Sequence, residues 1–148
     1  MWYVLGAIGL VIIISLAYYA GQLLWQVKQK SLEQEAQKKK RLDYVTSSIA
    51  HIAKAMQADQ CEFSEGVLRI WVLLEHYNSE QTAPKDYKTT YPGFASLYDV
   101  IKDMPTHDAR KKLGKQERHK MDLVRWNAEK EHEEQIRLDI DSIAKEFA

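Results

Sequence analysis

The 148-residue chain balances 21 Lys and Arg against 21 Asp and Glu, a neutrality that argues against a dedicated nucleic-acid binder, whose footprint is strongly basic. The length has room for one membrane span and one compact domain of ordinary size. Cys61 is the single cysteine, so an intrachain disulfide is excluded, in keeping with a reducing compartment.

The charges are unevenly placed. Residues 1–27 contain no charged side chain, a run long enough to cross a hydrocarbon core as a helix. Trp2 and Tyr3 stand at one end, with Tyr18, Tyr19 and Trp25 toward the other, where amphipathic rings favour the headgroup zones. A segment apolar on every side is a poor match to the core helix of a soluble protein. No Lys or Arg precedes Lys28, and Ala17-Tyr18-Tyr19-Ala20 has the wrong spacing for a small-x-small cleavage site, which disfavours a signal peptide. Residues 28–41 then hold six basic side chains, Lys28, Lys30, Lys38, Lys39, Lys40 and Arg41, against two acidic ones. By the positive-inside rule this predicts a transmembrane anchor over 1–27 with a short N-terminal stub outside. A basic juxtamembrane helix over 28–41 and a cytoplasmic helical domain over 42–148 follow it. The six basic residues are candidates for lipid-headgroup contact, each contributing on the order of 1 kcal/mol, although setting topology alone would also account for them. Ala17 and Gly21 form a small-xxx-small pair compatible with a homodimer.

From Lys28 no Pro or Gly intervenes until Gly66, so the anchor helix is predicted to run on. Leu42, Val45, Ile49, Ile52 and Met56 recur at steps of three and four, an apolar stripe on one helix face. It suits either a short parallel coiled coil between two copies or a face packed on the rest of the domain, and two heptads favour packing. Asp59-Gln60-Cys61-Glu62 reads as a capping box, predicting a second helix from near Gln60 to about Tyr77. Its apolar face is Phe63, Val67, Ile70, Trp71, Leu74 and Tyr77, flanked by Leu68 and Leu73. Residues 78–92, with Pro84, Thr89, Thr90 and Pro92, read as a loop.

Residues 93–104 form a third, short helix presenting Phe94, Leu97, Tyr98 and Ile101, stopped by Pro105. Thr106 is placed to cap a turn running through Leu113, and Gly114 to end it in a left-handed conformation. Nothing breaks a long helix from Lys115 to Phe147. Its stripe, Met121, Val124, Ala128, His132, Ile136, Ile140, Ile143 and Phe147, drifts as a mainly seven-residue spacing does, so this helix should curve. No alternating apolar run suggests a strand. The predicted fold is all-α: one N-terminal transmembrane helix continuing into a cytosolic bundle of three to four helices with a long C-terminal helix.

Several residues carry chemistry in other settings. His107-Asp108 is a pair that metal-dependent phosphohydrolases use, but one pair cannot fill a coordination shell. Glu129-x-x-His132 is half of a carboxylate-bridged di-metal site whose second copy is missing, so His132 reads more simply as a partly buried core histidine. Cys61 in the first turn of a helix has no positioned base and suits burial as a small hydrophobe. No catalytic constellation is complete, so no catalytic, cofactor-binding or metal-ligating residue is assigned. Residues 110–125 hold seven basic and two acidic side chains, whereas 127–148 hold seven acidic and three basic. That polarity suits a partner, a membrane or plain solvation. Glu65 and Arg69 have the favourable order for an intrahelical pair. Arg69, set in an apolar run, is expected to grip a planar acceptor such as Asp108 or a carbonyl near Pro105. That leaves His107, Arg110 and Lys111 as an outward partner-binding edge.

Three segments resemble a known family. They are Gln60-Cys61-Glu62-Phe63-Ser64-Glu65-Gly66-Val67-Leu68-Arg69-Ile70, Met104-Pro105-Thr106-His107-Asp108-Ala109-Arg110-Lys111, and Lys115-Gln116-Glu117-Arg118 followed by Met121-Asp122-Leu123. The chain resembles, over most of residues 45–140, an uncharacterised bacterial family, domain of unknown function 2489. The resemblance implies a small protein anchored in the bacterial inner (cytoplasmic) membrane, and it implies no activity. The expectation is therefore a non-enzymatic adaptor or scaffold for a protein partner, working without a cofactor. The alternatives are a membrane-tethered metal-dependent phosphohydrolase around His107, Asp108 and Arg110 or, least favoured, a nucleic-acid tether.

Overall fold

The computed structural model describes residues 2–105 and 107–148, and every regular element among them is a helix. In chain order these are α1 (Trp2–Gln57), α2 (Phe63–Ser79), α3 (Tyr87–Thr90), α4 (Pro92–Ile101), α5 (His107–Lys112) and α6 (Lys115–Glu146). The chain is all-α and divides into two compact units, Met1–Arg41 and Leu42–Ala148.

In the first unit, α1 carries the uncharged run and is long and apolar enough to cross a membrane. Leu16, Tyr18, Leu24 and Trp25 are all exposed, Trp25 at 63%. The six basic side chains from Lys28 to Arg41 are exposed as well.

In the second unit the helical periodicity becomes a core. Val45, Ile49, Ala53 and Met56 of α1 meet Val67, Ile70, Trp71 and Leu74 of α2, Phe94 and Leu97 of α4, and Ile136, Ile140 and Ile143 of α6. The Leu42–Met56 stripe is thus a packing face. Trp71 stacks on Tyr98 with ring centroids 5.0 Å apart. Two glycines permit close approach. A Cβ on Gly66 would lie 2.7 Å from Met56 Cγ and Cε, and one on Gly93 would lie 2.8 Å from backbone atoms of Gln135 and Ile136.

Several boundaries differ from the sequence reading, each for a physical reason. Asp59 does not cap α2. It ends α1, with φ 51°, its N–H donating to Met56 O at 3.1 Å and the Gln60 N–H to Ala55 O at 2.9 Å. This pair of bonds around a left-handed residue is the Schellman arrangement. Helix α2 accordingly starts at Phe63, and the Glu62 side chain makes no cap bond. Helix α4 stops at Ile101, three residues short of Met104. Gly114 is extended, φ −63° and ψ 157°, and opens α6. Its N–H donates to Glu117 Oε2 at 3.1 Å, the half of a capping box that needs no N-cap side chain. Thr106, expected to cap the preceding turn, lies outside the described residues. On the α6 stripe the prediction holds from Ala128 onward, but Val124 is 46% exposed.

The stretch expected to be a loop, 78–92, contains α3 and buries Tyr87 and Tyr91. Asp86 caps α3 by accepting from the Lys88 N–H at 3.1 Å and the Thr89 hydroxyl at 2.6 Å. The Asn78 amide closes the segment by bonding Lys85 N and O at 2.8 and 2.9 Å.

The acidic half of α6 serves the fold. Glu129 accepts from the Ser64 N–H at 3.2 Å and from the Ser64 hydroxyl, capping α2 across space. Asp139, 3% exposed, accepts from the Phe94 N–H at 3.0 Å and from Gln135 Nε2 at 3.0 Å, doing the same for α4. Glu146 accepts from the Tyr91 hydroxyl and from Lys85 Nζ, both at 2.6 Å. Carboxylates at helix N-termini satisfy orphan N–H groups and complement the dipole, which explains why α6 is acidic there.

Candidate functional site

Two surface features of the second unit stand out. The first is a cavity of about 500 Å³ where α2, α5 and α6 converge. Each helix contributes a guanidinium: Arg69, Arg110 and Arg125. Arg110 Nη2 donates to both oxygens of Asp122, at 2.8 and 2.7 Å. That bond holds the Asp122 carboxyl below the usual aspartate range, with the Arg110 and Arg125 charges adding to it. The same bond raises the pKa of Arg110. Arg125 Nη2 stays 3.7 Å from Asp122 Oδ1, and its Nε is buried with no hydrogen-bond partner among the described residues. Leu68, Ile101, Met104 and Pro105 supply the apolar part of the lining.

The second feature is an apolar groove of about 790 Å³ between the C-terminal part of α1 and α2. Ile52, Leu68 and Leu73 form its floor. Tyr44 and Val72 stand at its rim, 72% and 57% exposed, with Ser47, Ser48, His51 and Arg69 as its polar members. Leu68 and Arg69 border both features.

The residues singled out from sequence fall into this frame unequally. Arg69 and Arg110 line the same cavity. The expected clamp of Arg69 on Asp108 is not formed, because Arg69 Nη2 lies 2.6 Å from Glu65 Oε1, with the two side chains 63% and 55% exposed. Asp108 instead lies 3.1 Å from Lys111 Nζ, and that pair is more exposed still. Arg110 is therefore a tie between α5 and α6, not a free docking edge, while Lys111 remains outward. The side chain of His107 lies outside the described residues. Glu129, half of the sequence's Glu-x-x-His pair, is engaged at the α2 terminus, and His132 is half-buried. Burial, then the Glu65 charge, pushes the Cys61 thiol pKa up, the opposite of what a nucleophile needs. Among the described residues no group of three or more His, Cys, Asp or Glu could hold a metal ion.

Sequence reading missed Arg125 and Asp122 as a pair with Arg110, and it missed the groove. Tyr44 and Val72 each lie one position off the buried stripes, the only signal for the groove that the sequence holds.

The family model described as "Protein of unknown function (DUF2489)" matches residues 13–143. An uncharacterized protein of Haemophilus influenzae is 40% identical over 141 residues, covering 95% of this chain and 91% of that protein. No solved structure matches.

Proposed function

We propose that this chain, which belongs to the family described as Protein of unknown function (DUF2489), is a single-pass bacterial inner-membrane protein whose cytosolic helical domain recruits a protein partner. The anchor is supported by the exposed, uncharged face of α1 up to Val27 and the basic residues that follow it. Uncovered apolar surface of that extent is unfavourable in water by roughly 25 cal/mol per Å² and is neutral in lipid. Recruitment is carried by one observation, the α1–α2 groove. A groove with an apolar floor and an exposed Tyr beside it suits an amphipathic helix laid into it, and Tyr is enriched among the residues that dominate binding energy.

The test is capture from detergent extracts with the full chain as bait, compared with Tyr44→Asp and Val72→Asp. Both positions are exposed, so the substitutions leave the core intact. A partner recovered in stoichiometric amount with the native chain and lost with both variants supports the reading. Recovery of no such partner under several salt and detergent conditions counts against it.

A further inference from the structure

We infer that the outer face of α6 from Lys115 to Lys130 docks an acidic amphipathic segment of a partner protein. This face shares no residue with the α1–α2 groove, so the inference stands or falls apart from the reading of that groove. Charge is its first support. Every acidic side chain from Asp108 to Arg125 is already engaged: Asp108 with Lys111, Glu117 on the Gly114 N–H, and Asp122 with Arg110. The side chains of Lys112, Lys115, Arg118 and Lys120 enter no ion pair or hydrogen bond among the described residues. The three lysines are exposed and Arg118 is half-buried. The positive excess of this stretch is therefore uncompensated within the fold.

Apolar surface lies among these cations. Leu123, Val124 and Trp126 are 45%, 46% and 56% exposed, and Lys120 precedes the first two by three and four residues. Lys115, His119, Leu123, Trp126 and Lys130 follow one another at steps of four, four, three and four, so they share one helix face. The stripe runs for about 22 Å at ~1.5 Å per residue, enough to seat a short helix. Such a helix would set apolar side chains on Leu123 and Trp126 and carboxylates against Lys115, Lys120 and Lys130. Trp is prominent among residues that dominate binding energy, while the flanking charges select the sign of the partner. Nucleic acid fits this face poorly. Strand binders stack successive bases on several aromatic rings, whereas Trp126 is the single Trp, Tyr or Phe from 107 to 146, and Lys130 Nζ sits 5.2 Å from its ring centroid. A lipid surface fits poorly too, because α6 spends Ile136, Ile140 and Ile143 on the core and is not free to sink into the headgroup layer.

The test uses the full chain in phosphatidylcholine nanodiscs with its tryptophans labelled with ¹⁵N, following the indole N–H resonance that disappears in Trp126→Phe. The probes are a helical peptide of alanine, leucine and glutamate, the same peptide with lysine for glutamate, oligothymidylate, and nanodiscs containing phosphatidylglycerol. The glutamate peptide should move that resonance saturably, with an affinity that falls as salt rises. That affinity, read from the fluorescence anisotropy of a dye-labelled copy, should weaken about tenfold in Trp126→Ala. It should weaken about tenfold again when Lys115→Glu and Lys120→Glu are combined, at exposed positions that the fold does not need. Tyr44→Asp should leave it unchanged; loss there would seat the peptide in the α1–α2 groove, which overturns this inference and leaves the groove reading standing. The inference is also overturned if the lysine peptide binds as tightly, if oligothymidylate binds more tightly, if phosphatidylglycerol alone moves the resonance, if the glutamate peptide does not move it, or if the α6 variants bind like the native chain.

Discussion

Gly93→Ala tests the packing that sets the whole second unit. Gly93 is the second residue of α4 and faces the backbone of α6. An added Cβ would lie 2.8 Å from Gln135 C and Ile136 N and 3.0 Å from Asp139 Oδ2, whereas comfortable contact is about 3.5–4.0 Å. Backbone cannot rotate away, so α4 must retreat from α6 by the order of the ~1 Å shortfall. The Asp139–Phe94 hydrogen bond, 3.0 Å in the native chain, then breaks. Overpacking costs about 1–3 kcal/mol, and a buried cap left unpaired costs about 1–3 kcal/mol more. Replacing a helical Gly returns about 1 kcal/mol. The net is a destabilisation of about 3 kcal/mol, and at roughly 4–8 °C per kcal/mol the melting temperature should fall by roughly 12–24 °C. The assay is thermal melting of the full chain in micelles, followed by near-ultraviolet circular dichroism of the stacked Trp71. Gly6→Ala is the control, because nothing lies within 4 Å of its added Cβ. A Gly93→Ala protein that melts with the control would refute the account of α4 held against α6 through Asp139.

Five further outcomes are expected. Asp59→Gly should stabilise by about 0.5–1 kcal/mol, since glycine adopts φ 51° without the Cβ penalty, and the lost Arg137 contact at 3.4 Å is exposed; a lower melting temperature would contradict the Schellman reading. Gly114→Ser should add a few tenths of a kcal/mol by completing the capping box, with only Glu117 Oε2 near the new Cβ, at 3.6 Å, again read from the melting temperature. Arg69→Met should melt like the native chain, because exposed pairs contribute little, whereas Arg110→Ala should speed proteolysis within 107–112 by freeing α5 from Asp122. Stability should also fall at both pH extremes, measured by circular dichroism together with phenolate absorbance. Burial raises the Glu146 pKa, but the Lys85 and Tyr91 hydrogen bonds outweigh it and hold it below its ordinary 4.5, so its contribution is present above that pH and is lost as pH falls through the lower folded value. Burial, then the Glu146 charge, pushes Tyr87 up from 10 to about 12, and burial, then the hydrogen bond to Glu146, pushes Tyr91 upward, so their contribution is complete below pH 10 and is lost above it.

The helices and most of the core were legible because a 3.6-residue apolar period survives any tertiary arrangement. Val45, Ile49, Val67, Ile70, Leu97, Ile136 and Ile140 are buried where the stripes put them. Helix termini were not legible, because their caps come from far along the chain. Ser64 meets Glu129 and Phe94 meets Asp139, while Asp59, locally a convincing N-cap, terminates the preceding helix. Tyr87 and Tyr91 were hidden among turn-forming neighbours whose local chemistry does form a turn, but one pinned to the core through Glu146. For the cavity, Arg69 and its intrahelical partner Glu65 could be picked from sequence, and Arg110 too, yet Asp122 as the partner of Arg110 could not. An Arg in an apolar run looks the same whether it points inward or, as here, pairs with Glu65 at the surface.

The central claim, a helical domain held on the cytoplasmic face of the inner membrane, is tested most directly by its topology in bacterial cells. A reporter active only in the cytosol, fused after Ala148, should give full signal from the membrane fraction, and the same reporter fused before Met1 should be silent. Signal from the N-terminal fusion alone, or from a C-terminal fusion that fractionates as a soluble protein, would contradict the account.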